Sequence, residues 1–185
     1  MQNGQMTALE CTDDEGTFSI QAKTFVDATG DAALAHLAGA ETIWGGEDGT
    51  VQAATLPFRL SGVDTSCDLS PAAVEKAVIK AKEEGIPNLS KEKGFILKRE
   101  GSDQVAVLLP SVMPKSLDCR EMTAMEQETR KQVLSYVKAL KKYLPGMENS
   151  ELSVIGPSIG FRETRRIKGR KVLTADDVLS RKKCE

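Results

Sequence analysis

The chain has 185 residues, 40% of them hydrophobic and 28% charged, with a net charge of -2, which suits one compact domain or two small lobes with a real core. Positive and negative residues are well mixed, which excludes a surface-wide field of the kind that holds nucleic acid or a membrane. No segment approaches the roughly 20 apolar residues that cross a bilayer, and Met1-Gln2-Asn3-Gly4 does not open a secretory signal; a cytoplasmic protein with no nucleic-acid and no membrane partner is expected.

Thr7 to Cys11 and Thr17 to Gln21 flank Asp13-Asp14-Glu15-Gly16 and predict a β-hairpin. Lys23 to Ala28 is a β-prone run that passes through Thr29-Gly30-Asp31 into an Ala-rich helix closed by Gly39, a strand-turn-helix junction. Gly45 to Gly49 is a loop. Ala54 to Leu60 alternates like a strand, and Pro57 confines it to an edge or a bulge. Ser70 and Pro71 are suited to the cap and first position of a helix, with Val74, Ala77, Val78 and Ala81 on its apolar face before Gly85. A second hairpin is predicted from Gly94 to Lys98 and Gln104 to Leu109, turning at Glu100 to Asp103.

Thr123 and Glu126 have capping-box spacing at the start of a long helix, whose stripe Met125, Thr129, Val133, Val137, Leu140 and Leu144 stops at Pro145-Gly146. Leu152 to Ile155 precedes Gly156-Pro157 and a basic run from Arg162 to Lys171, and Thr174 with Asp177 makes another capping signal. The chain ends at Arg181 to Glu185, about a turn after that helix begins, where a natural domain seldom stops.

Cys11, Cys67, Cys119 and Cys184 are far apart and form no CxxC pair, so no metal site or cysteine-ligated cluster is expected. The single histidine, His36, lies in the Ala-rich helix, and structural or exposed placement is expected of it. At the strand-helix turn, Gly30 permits close backbone approach to a ligand, and Thr29 and Asp31 offer hydrogen bonds to ribose or phosphate-bridging groups. A capped turn without a ligand explains the same residues.

Phe25 to Ala35 with Ala38-Gly39-Ala40 resembles the second flavin-binding motif of the FAD-dependent oxidoreductases, of the fumarate reductase and succinate dehydrogenase type. Gly160 to Gly169 with Val172 to Leu179 is similar to that family's signature at the return from substrate domain to flavin domain. Gln52 to Asp64 and Tyr143 to Asn149 fall between them in the expected order. The resemblance implies an α/β (α+β) fold: a remnant of a Rossmann-like FAD-binding domain over residues 1-50, an inserted antiparallel substrate domain with helices over 51-159, and a return segment over 160-185.

It further implies FAD as cofactor, contacted by Ala28, Thr29, Gly30 and Asp31, and a hydride or electrons exchanged with a small-molecule substrate, with an electron-transfer partner in some relatives. Arg162, Arg165 and Arg166 are the expected catalytic residues, able to neutralise a reduced flavin, a carboxylate or a phosphate. Helical spacing would set Arg162 and Arg166 on one face, and Gly160 would let Arg162 point inward. A solvated basic patch paired with Glu163 or other acidic residues is the alternative for Arg165 and Arg166.

No G-x-G-x-x-G occurs in the sequence, although the family sets the FAD pyrophosphate on such a turn. An internal fragment, inactive and without flavin by itself, is therefore expected. The rival expectation is a non-catalytic binding or interaction module derived from the substrate domain.

Overall fold

A computed structural model describes residues 5–46 and 49–181. Cys184, the basic end beyond Arg181, and Glu47 and Asp48 of the glycine-rich loop lie outside the described residues. Helix and strand are mixed, and the chain divides into two compact units, one from Met1–Gly49 with Thr164–Glu185 and one from Thr50–Glu163.

In the first unit, β1 (Ala8–Asp13) and β2 (Gly16–Gln21) form the expected hairpin, in register from Ala8 opposite Gln21 to Asp13 opposite Gly16. The Asp13 carboxylate accepts the N–H groups of Glu15 and Gly16 and so shapes the turn. Residues 23–28 form no strand. A strand needs a partner for its backbone, and no neighbouring strand among the described residues pairs with this run. The junction is thus a loop followed by α1 (Ala33–Leu37). β3 (Thr42–Ile43) pairs antiparallel with a strand from the returning segment, β10 (Arg166–Ile167). Arg162 to Arg166 is accordingly not helical. That stretch is extended or irregular, so the expected shared helical face does not exist. α4 (Ala175–Leu179) begins at Thr174 with the reciprocal bonds of a capping box to Asp177.

The second unit is built on a four-stranded antiparallel sheet in the order β6, β7, β5, β9. These strands are Phe95–Lys98, Val105–Leu108, Phe58–Ser61 and Glu151–Ile155. Pro57 does not confine its strand to an edge. It separates β4 (Ala54–Thr55) from β5, and β5 then lies between two partners, with a bulge at Arg59/Leu60. β4 pairs instead with β8 (Ser111–Val112).

Along β5 and β7 the burial alternates: Phe58, Leu60, Val105 and Val107 are buried, and Arg59 faces solvent. α2 (Pro71–Glu83) and α3 (Cys119–Tyr143) pack on each other and close a core with the buried residues of the sheet, including Val74, Val78, Val133 and Leu140. The Ser70 hydroxyl accepts the Ala73 N–H as the helix cap, as its sequence predicts. α3 begins earlier than its predicted capping box. Asp118 is the cap, accepting the N–H groups of Arg120 and Glu121, while Thr123 turns back onto the Cys119 carbonyl and Glu126 accepts the Ile159 N–H.

Candidate functional site

Within the first unit, the turn before α1 is organised by Asp27. Its Oδ1 accepts the Thr29 N–H at 3.0 Å and the Thr29 hydroxyl at 2.7 Å, and its Oδ2 accepts the Ala35 N–H at 2.8 Å. The Thr29 oxygen in turn accepts the Ala33 N–H at 3.0 Å. The Thr29 hydroxyl bond, reinforced by the two N–H groups, holds the Asp27 carboxyl below its ordinary value of 3.8. Asp27 and the Thr29 side chain therefore fold the turn.

Gly30 leaves that turn at φ +81, and nothing stands within 4 Å of where a Cβ would be. Ala32 follows at φ 54, a conformation that costs a non-glycine residue roughly 1–2 kcal/mol. The positive φ by itself explains the glycine, and the open space beside it leaves room for a ligand. Ala28, Thr29 and Gly30 are exposed.

The structure brings Asp31 and Arg165 together, with 3.9 Å between carboxylate and guanidinium. The Arg165 Nε and the Trp44 Nε1 are buried, and neither has an acceptor among the described residues. Arg166 donates to the Gly45 carbonyl at 2.6 Å, a bond that ties β10 to the chain after β3. His36 is exposed, its Nδ1 3.1 Å from the Thr42 hydroxyl. Cys11, Cys67 and Cys119 are free thiols, and no cluster of metal-ligating residues occurs among the described residues.

Arg162 belongs to the second unit. Gly160, two residues earlier, makes a mutual backbone pair with Thr55 at 2.9 and 3.1 Å; its close approach is to the protein's own strand. Arg162 is exposed, in contrast to the inward orientation expected of it. It nevertheless lines a cavity of about 700 Å³ together with Lys91, Lys93, Glu75 and Gln52. Apolar wall is supplied by Pro71 and Ala72 at the start of α2, and by Phe95 and Leu108. Glu75 pairs with Lys93 at 3.6 Å. Neither Lys91 nor Arg162 has a carboxylate partner among the described residues. Burial, and then the charge of Arg162, push the Lys91 ammonium below its ordinary value of 10.5.

Lys91 is held by α3. The fully buried Tyr136 accepts the Lys91 N–H at 2.9 Å and donates its hydroxyl proton to the Lys91 carbonyl at 2.6 Å. Buried Gln132 accepts the Ser111 N–H at 2.9 Å next to it, with the Ser90 hydroxyl 3.3 Å from both that N–H and the Tyr136 oxygen.

A family model described as FAD dependent oxidoreductase matches residues 1–185. The chain belongs to that family. No curated protein and no solved structure matches it. Membership makes FAD the cofactor and flavin-linked redox chemistry the general activity of this FAD dependent oxidoreductase. The residues present suit that group. Two buried donors without acceptors, on Trp44 and Arg165, fit an oxygen-rich and anionic dinucleotide, since an unmatched buried donor costs about 1–3 kcal/mol. The turn at Gly30 adds unfilled space and the N–H groups of Gly30 and Asp31, which have no partner among the described residues. No helix among the described residues is long and apolar enough to cross a membrane.

The sequence singles out Arg162 but not the roles of Lys91, Tyr136 and Asp27. Asp27 carries a readable signal, because an Asp two residues before a Thr and just ahead of a helix is a recurring turn former. Lys91 has none. It is one of two lysines in Ser90-Lys91-Glu92-Lys93, and only its bonds to α3 distinguish it.

Proposed function

We propose that the protein exchanges a hydride or electrons between FAD and a small-molecule substrate, with the flavin held by the unit that contains Gly30 and the substrate by the unit of residues 50–163. The observation that carries this reading is the pairing of family membership over all 185 residues with a cationic cavity inside the second unit. Bound FAD supplies the two-electron acceptor or donor that protein side chains lack. The chain's own residues bind and orient. Asp27 and Thr29 fix the turn, and Gly30 leaves space for the dinucleotide. Arg165 offers its Nε, and Arg166 secures the β3–β10 ribbon. Arg162 orients substrate from the cavity wall.

In this reading residues 1–49 and 164–185 are portions of a flavin domain, and the second unit is an insertion into it. The glycine-rich turn for the FAD pyrophosphate, which these 185 residues lack, is assigned to sequence outside them. The test is flavin reduction in the complete, flavin-loaded protein. Arg162→Ala is expected to lower the reduction rate at saturating substrate, by about 2–4 kcal/mol in barrier if the guanidinium faces charge that develops in the reaction. Arg162→Lys should recover only part, because the ammonium keeps the charge and loses the planar fork. Wild-type reduction with unchanged affinity in Arg162→Ala would remove Arg162 from the site.

A further inference from the structure

Two of the three cations that line the second unit's cavity, Lys91 and Arg162, have no ion-pair partner among the described residues. Lys93 has Glu75 at 3.6 Å, whereas among the described residues no carboxylate lies within ion-pair distance of Lys91 or Arg162, which line the same cavity. Two like charges on one cavity wall repel, and an anion bound between them would offset that repulsion. Their proximity is felt at Lys91, where burial and the Arg162 charge both act against the ammonium.

The arrangement is built, not incidental. Tyr136, fully buried on α3, grips both the N–H and the carbonyl of Lys91, and Ser90 and Gln132 extend that network to Ser111. A buried polar network of this kind fixes a backbone in one position. Here the fixed backbone carries an unpaired cation to the cavity wall. On the other side, Pro71 and Ala72 bring the first turn of the thirteen-residue α2 to the cavity, and a helix N-terminus adds positive potential. Phe95 and Leu108 give apolar wall for an organic body.

We infer that this cavity recognises a small organic oxyanion, a carboxylate or a phosphate monoester, between Lys91 and Arg162, and that Tyr136 is the positioning residue for Lys91. The inference rests on the proposed assignment of the second unit to substrate. It narrows the substrate to an acid whose charged head meets the two cations while its apolar part lies against Phe95 and Leu108.

The test is ligand-observed and protein-observed NMR on the complete protein with three probes of similar shape: phenylacetate, phenyl phosphate and neutral phenylacetamide. One or both anions should bind and shift the Lys91 and Arg162 side-chain signals, and the amide should not. Lys91→Gln and Arg162→Gln should each weaken the bound anion about tenfold, the effect of removing one charge-assisted hydrogen bond. Lys142→Gln, whose ammonium pairs with Glu84, should leave it unchanged. Tyr136→Phe should weaken binding although both cations remain; if that variant does not fold, Ser90→Ala, which removes one member of the same network, takes its place.

Whichever anion binds identifies the source of the oxyanion. Equal binding of the amide, no binding of either anion, or full affinity in both Gln variants would overturn the proposal. Flavin content, read from absorbance of the same samples, reports separately on the flavin assignment, so loss of one does not imitate loss of the other.

Discussion

Tyr136 combines two jobs that usually fall to different residues, filling the core with its ring and clamping the Lys91 backbone with its hydroxyl. Tyr136→Phe keeps the ring and strands the Lys91 N–H and carbonyl, so the variant should lose about 1–3 kcal/mol in urea unfolding, with the slope unchanged. A loss near zero would mean that water replaces the hydroxyl. Of the stripe legible on α3, Met125, Thr129, Val133, Leu140 and Leu144 are buried and Val137 is half-buried. Tyr136 and Gln132 sit beside that stripe. Their roles were not legible because their partners, Lys91 and Ser111, come from segments 45 and 21 residues away. Arg162 and Arg166 show the reverse. Their spacing suggested one helical surface, but β-pairing of Arg166 with Ile43 fixes an extended backbone, and no local pattern announces so distant a partner.

At the scale of elements, local chemistry was a good guide wherever the deciding atoms are close in sequence. The Ser70 cap, the Thr174–Asp177 box and both hairpin turns were readable for that reason. Removing the first should cost about 0.5–2 kcal/mol, checked by thermal unfolding of Ser70→Ala. The start of α3 was misplaced because Thr123 and Glu126 match a cap by spacing, whereas Asp118 reaches two N–H groups and is in turn bonded by Ser116. The Ser116 hydroxyl bond, followed by the Glu121 and Arg120 N–H groups, holds the Asp118 carboxyl below its ordinary 3.8. A lowered folded value means that the cap contributes fully above the unfolded value and is lost as pH falls through the folded one. The stability gap between wild type and Asp118→Ala should therefore be constant near neutrality and shrink below about pH 4. A gap that persists unchanged into strong acid would assign the cap's effect to uncharged hydrogen bonding. The predicted strand at Lys23 to Ala28 failed for the complementary reason, since β propensity without a paired neighbour leaves the backbone in a loop.

For the whole molecule, the two units differ in how they are held. The second contains the large core of Phe58, Leu60, Val107, Tyr136 and Leu140, and Phe58→Ala should cost it about 3–5 kcal/mol. The first has short paired strands, with Phe18 and Ile20 of its hairpin 45% and 46% exposed, so its fixed points are specific bonds: Asp27 to the turn and Arg166 to Gly45. The flavin assignment rests on that turn, and it is tested most directly by the flavin-to-protein ratio of the complete protein, read from absorbance after gel filtration, for wild type, Gly30→Val and Gly101→Val. Both glycines have positive φ and nothing within 4 Å of a Cβ, so both variants carry comparable backbone strain, but Gly101 lies in the β6–β7 turn. Wild type and Gly101→Val should retain FAD, and soluble Gly30→Val should lose it. Full flavin content in soluble Gly30→Val would contradict the flavin assignment.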